Sequence, residues 1–210
     1  MWRRRGRLCR PDALLDDYAP WAGVDVGGRR KGLHAAVVLS HGDVELASGS
    51  VADIVGWLAE RTPTLVAVDS PRSLARAGKR SRECERQFAQ AQVCGIRYTP
   101  DEEGLNRNRV FYEWIAHGRE LYDALDRIGL PAIECFPTAS WTRWFGKRGS
   151  TRRAAWTRDA LHRTSVMLPR SRLNQDERDA IGAALTARSH LLGRTEMFGD
   201  IVVPLAGWAI

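Results

Sequence analysis

Three short runs of β-forming residues, each broken or ended by one acid, constrain this chain more than any other feature. Ala22-Gly23-Val24-Asp25-Val26-Gly27 contains Asp25, Leu65-Val66-Ala67-Val68 stops at Asp69, and Ala132-Ile133-Glu134-Cys135-Phe136 is interrupted by Glu134. The middle run lacks polar alternation, the pattern of a strand buried on both faces. An ionised carboxylate beside a core costs several kcal/mol unless it is paired or bound to a cation. Three such positions in one chain point to convergence, and in open α/β sheets the meeting place is the carboxyl ends of the strands.

Around these runs the sequence predicts alternating elements. Trp21 to Val26, Leu33 to Leu39 and Val44 to Ala47 read as a three-strand meander, turning at Arg29–Gly32 and at His41-Gly42-Asp43. A helix follows over 53–61, then the strand at 65–68. Residues 72–108 read as mostly irregular, with a helix at 81–92. Val110 to Ile128 predicts an amphipathic helix burying Phe111, Trp114, Ile115, Leu121, Leu125 and Ile128. After the strand at 132–136 come helices at 138–145, at 151–167 and from Asn174 to about Leu192. Ile201 to Leu205 reads as an edge strand, because Pro204 removes a donor. This order predicts an α/β fold, a mixed sheet with helices on both faces.

The last helix carries a further pair of acids. Asn174 is its expected N-cap, with Glu177 three residues on in capping-box relation. Asp176 and Asp179 then share one face. Ala180, Ala183, Ala184 and Ala187 form a small-residue stripe that lets the helix lie close to the sheet and brings its acids to the strand ends.

Clustered carboxylates of this kind suit divalent-metal chemistry on phosphodiesters. Two ions can bind the phosphate, activate water and stabilise the leaving oxygen. Oxygen-rich ligation favours Mg²⁺ or Mn²⁺ over zinc, and none of the four cysteines forms a CxxC pair. With 32 Lys plus Arg against 25 Asp plus Glu, the net charge of +7 favours polyanionic partners. Residues 1–19 read as a basic arm and 20–210 as one domain. No run approaches the roughly 18 apolar residues needed to span a bilayer, and no apolar segment follows the N-terminal arginines, so a cytoplasmic protein with reduced thiols is expected.

In order along the chain, Gly23-Val24-Asp25, Ala67-Val68-Asp69-Ser70-Pro71, Arg82-Glu83-Cys84-Glu85-Arg86, Glu134-Cys135-Phe136-Pro137 and Asp179-Ala180-Ile181-Gly182-Ala183-Ala184 resemble an uncharacterised prokaryotic family of predicted nucleases with a ribonuclease H-like fold. The resemblance implies a five-stranded mixed sheet whose first three strands are antiparallel. It implies metal-binding acids at Asp25, Asp69 and Asp179, with Asp176 as a helper, and a catalytic set that adds Glu134. Within the family-like motif, Arg82 and Arg86 are candidates for phosphate contact. Expected partners are DNA or RNA and possible homodimerisation, with no membrane.

Other readings predict different things. A non-catalytic nucleic-acid-binding or assembly module would tolerate loss of the acids. An ATP-binding phosphotransferase resembling the sugar-kinase superfamily would use Asp25-Val26-Gly27 as a phosphate loop, but needs two such domains. Trp141, Trp144 and Trp156 interleave with late basic residues, as either core or stacking groups. His34 and His117 read as structural.

Overall fold

The computed structural model describes residues 20–207, so the basic arm expected at 1–19 lies outside the described residues. β1 (Trp21–Val26), β2 (Leu33–Val38) and β3 (Val44–Gly49) form the antiparallel meander. Gly32 and Gly42 adopt φ of 69° and 96° in its turns, backbone that favours glycine. α1 (Val51–Arg61) starts at Ser50, which shares a capping box with Asp53. β4 (Leu65–Asp69) returns parallel to β1.

Three helices follow: α2 (Glu83–Gln90), α3 (Glu102–Arg107) and α4 (Glu113–Arg127). β5 (Ala132–Cys135) pairs parallel with β4. α5 (Pro137–Phe145), α6 (Arg153–Leu161) and α7 (Gln175–Leu191) lead to β6 (Thr195–Phe198) and β7 (Ile201–Pro204).

The sheet order is β3-β2-β1-β4-β5-β7-β6. Its first three strands are antiparallel and the sheet is mixed, as the ribonuclease H-like resemblance implies, but the sheet has seven strands, not five. The extra two form a C-terminal hairpin. β7 runs parallel to β5 and antiparallel to β6. The segment expected at an edge is therefore an inner strand, buried throughout. β6 takes the edge, where Met197 is 60% exposed.

Strand alternation divides the core. Trp21, Ala36 and Ala67 face Trp141, Ile181 and Leu185 on the α5–α7 side. Val24, Val37 and Val66 face Leu58, Leu121 and Leu125 from α1 and α4. A methyl group on Gly23 would sit 2.2 Å from both the Ala180 carbonyl oxygen and the Ala184 amide nitrogen. The expected alanine stripe is fully buried there, so the backbone of α7 lies directly on β1.

Some boundaries differ from expectation. α4 begins at Glu113, leaving Val110 and Phe111 on the preceding turn, 90% and 49% exposed. Ile128, expected to be buried, is its C-cap and is also exposed. α3 occupies a stretch expected to be loop. Trp141 is a core residue, with Trp144 and Trp156 packed against it, which removes Trp141 as a stacking group.

Candidate active site

Asp25 and Asp69 are register partners on the parallel strands β1 and β4. Register partners project to the same face, here the α7 side. Across the hairpin, Asp25 also pairs with His34, so His34, Asp25 and Asp69 form one row over three strands. Several interactions fix the strand ends. His117 Nδ1 meets the Gly27 carbonyl oxygen at 3.0 Å, and the Tyr122 hydroxyl donates to the Ser70 carbonyl at 3.1 Å. Gly118 leaves α4 room for the Ser70 side chain.

α7 supplies the other acids. Asn174 accepts from the Glu177 amide at 2.8 Å, and the Glu177 carboxylate accepts from the Asn174 amide at 2.8 Å. This closed capping box anchors the first turn. Asp176 accepts from Lys31 Nζ at 3.0 Å on both oxygens, and its Oδ2 lies 4.0 Å from His34 Nδ1. Asp179 is buried. Its Oδ2 accepts from Arg153 at 2.7 Å and from Gln175 at 2.9 Å, while its Oδ1 has no hydrogen-bond partner.

All four aspartates line one cleft of about 670 Å³. Asp25 and Asp69 make no hydrogen bond or ion pair among the described residues and open onto this cleft. The electrostatic consequence is strong. Burial, then the charges of Asp179 and Asp176, push the Asp25 carboxyl from 3.8 up to about 7, against the pull of Lys31 and Arg153. Burial first, then Asp25 and Asp179, hold Asp69 well above the usual carboxylate range. Burial also raises Asp179, although Arg153, Gln175 and the nearby Trp141 indole favour its ionised form. Crowded, desolvated carboxylates without partners are what a divalent cation relieves.

Among the described residues, Asp25, His34 and Asp176 are the groups whose ligand atoms all lie within 4.8 Å of one another. Asp25 thus stands in register between Asp69 on β4 and His34 on β2. Carboxylate oxygens with one imidazole make a donor set that accepts a divalent cation.

Glu134 behaves differently. It pairs in register with Val68, one residue back from Asp69, so strand alternation turns it to the opposite face. Arg82 grips both its oxygens, at 2.7 and 2.5 Å, and the Arg72 amide donates to it at 3.0 Å. Arg82 is itself buried and also bonds Glu85 at 3.0 Å. Arg86 turns back to the Ser81 carbonyl and to Glu83. The Arg82-Glu83-Cys84-Glu85-Arg86 motif therefore forms a clasp that fastens the insertion before α2 to β5. It does not present Glu134, Arg82 or Arg86 as free groups.

Two residues escaped the sequence reading. The place of His34 follows from the Asp25–His34 register, which a tight hairpin pairing Val26 with Leu33 dictates. Lys31, read only as part of a basic turn, reaches 145 positions along the chain to Asp176.

Comparison with known proteins places the chain in a family. It belongs to the family described as protein of unknown function (DUF429), whose pattern matches residues 23–202. No curated protein matches the sequence. Among solved structures it is similar to Thermus thermophilus RuvC, at 16% identity and a TM-score of 0.44, over 83% of this chain and 97% of that one. It is also similar to Thermus thermophilus RuvC in complex with a Holliday junction substrate, at 14% identity and a TM-score of 0.45, over 82% and 96%. Among the described residues no helix is long and apolar enough to cross a membrane.

Proposed function

We propose that this protein is a divalent-metal-dependent nuclease that hydrolyses phosphodiester bonds of DNA or RNA. The observation that carries this reading is the register pairing of unpaired Asp25 and Asp69 in one cleft with Asp179, whose buried Oδ1 has no hydrogen-bond partner. Bound Mg²⁺ or Mn²⁺ would supply Lewis-acid stabilisation of the phosphoryl charge and a nucleophile at neutral pH. Asp25 would hold it, together with Asp69 and Asp179 of the same cleft or with His34 and Asp176, whose ligand atoms lie within 4.8 Å of its own. Lys31 orients Asp176 at the rim. Hydrolysis joins a water oxygen to phosphorus and breaks one phosphorus–oxygen ester bond, and the leaving oxygen takes a proton.

A non-catalytic binding module explains less, because unpaired carboxylates repel phosphate and destabilise the fold unless a cation joins them. Glu134, Arg82 and Arg86 stand outside the reacting set, since each is already engaged. The free thiols of Cys84, Cys94 and Cys135 accord with action in a reducing cytoplasm.

The test is cleavage of labelled single-stranded, duplex and branched DNA and RNA with Mn²⁺ or Mg²⁺. Turnover should vanish with chelator and fall to background in Asp25→Asn and Asp179→Asn, each retaining native circular dichroism. Metal-dependent turnover persisting in both variants would refute the assignment.

A further inference from the structure

The acidic cleft adjoins a second pocket of about 740 Å³, and the two share Gly95, Thr138 and Arg153. Their linings differ in sign. The first is acidic on balance, with Asp25, Asp69, Glu85, Glu134, Asp176 and Asp179 against Lys31, Arg82, Arg97 and Arg153. The second has no carboxylate and holds Lys147, Arg148 and Arg153.

These cations are available. Lys147 and Arg148 are exposed, and neither pairs with a carboxylate among the described residues; Arg148 donates to the Thr151 carbonyl of its own loop at 3.0 Å. Thr138, on the shared wall, has a buried hydroxyl without a partner. Arg153 completes that wall, its guanidinium bonded to Asp179 on the acidic side while it lines the basic side as well. An anionic pit that suits metal therefore abuts a cationic shelf that suits phosphate.

We infer that the basic pocket seats a phosphate flanking the scissile one, with Lys147 and Arg148 as its grips, and that the substrate is a polynucleotide chain. This rests on the nuclease reading of the acidic cleft. A mononucleotide or isolated phosphodiester would engage one pocket and leave the other idle. A chain spans both, its scissile group over the acids and its neighbour on the shelf. Backbone charge is the feature recognised, so the pocket contributes affinity and register without reading base sequence.

The test is the binding of a fluorescein-labelled 20-nucleotide oligothymidylate to the full chain, by anisotropy in Ca²⁺ buffer over a range of salt. Lys147→Ala/Arg148→Ala is compared with wild type and with Arg127→Ala/Arg172→Ala. The control removes the same charge from two exposed arginines that line neither pocket. In the first variant, affinity should fall about tenfold at low salt. The slope of log affinity against log salt should shrink by about 0.7, the share of the one single-strand phosphate that is no longer neutralised. The control should keep the wild-type slope. An unchanged slope in Lys147→Ala/Arg148→Ala, or equal weakening in the control, overturns the inference. Since the readout needs no turnover, a chain without Mn²⁺-supported cleavage that still shows the slope change would reject the nuclease reading and keep the phosphate site.

Discussion

The chemistry of Asp25 makes stability and metal binding two faces of one quantity. Its carboxyl titrates near 7 in the folded chain against 3.8 in the open one. The folded state therefore holds more protons between those values, and folding stability falls as pH rises through that window. Asp69 and Asp179 shift in the same direction and add to the slope. At about 1.4 kcal/mol per unit, the Asp25 shift alone costs at most on the order of 4 kcal/mol in metal-free protein at pH 8. In chelator, the melting temperature should be higher at pH 5.5 than at pH 8, and added Mn²⁺ should raise it more at pH 8. Scanning fluorimetry decides the point: a flat or opposite pH trend without metal would remove the strain assigned to the cluster. Arg82 carries the converse logic. Arg82→Ala leaves Glu134 and Glu85 buried without their shared cation and should cost about 3–5 kcal/mol in urea unfolding. A cost below about 1 kcal/mol would show that the clasp does not hold the insertion.

At the level of elements, the site depends on how closely α7 can approach β1. Gly23→Ala would drive a methyl into the α7 backbone, 2.2 Å from Ala180 oxygen and Ala184 nitrogen, with no flexible side chain to yield. Overpacking of this kind costs typically about 1–3 kcal/mol, and it should also weaken metal affinity by lifting Asp179 from Asp25. Gly56→Ala, on exposed α1 with nothing within 4 Å, should gain roughly 0.5–1 kcal/mol. Chemical denaturation and Mn²⁺ titration of the pair separate the cases; equal stability would discount the close approach. The same packing explains what was readable beforehand. Alanine spacing on α7, the Asn174–Glu177 box and the apolar runs of β1, β4 and β5 are local patterns, and each appears where expected. His34 was not readable alone, because its meaning lies in a neighbour on another strand. The partner of Glu134 was not readable for the same reason: its position along a strand is visible, but Arg82, which clasps it beside the aspartate cleft, comes from a distant segment. β6 escaped because Thr195-Glu196-Met197-Phe198 is a short, mixed edge, although the Gly199-Asp200 pair after it is a hairpin signal.

For the molecule as a whole, charge is distributed against the average. A chain of net +7 concentrates four aspartates in a single cleft beside a basic shelf. Long-range attraction brings a polyanion to the surface, while the cleft itself repels it until a cation is bound. The two effects make opposite predictions for a variant that removes negative charge from the cleft. At pH 8, above the value near 7 to which the Asp25 carboxyl is pushed, Asp25→Asn/Asp69→Asn should bind single-stranded nucleic acid more tightly than wild type in chelator, since the negative charge that Asp25 carries there is gone. In Ca²⁺ the order should reverse, because wild type then presents a cation to the phosphate and the variant cannot hold one. Anisotropy titrations of both proteins in both buffers test the crossing. If the variant binds no better than wild type without metal, the acids do not face the nucleic acid and the cleft is not where the phosphate chain lies.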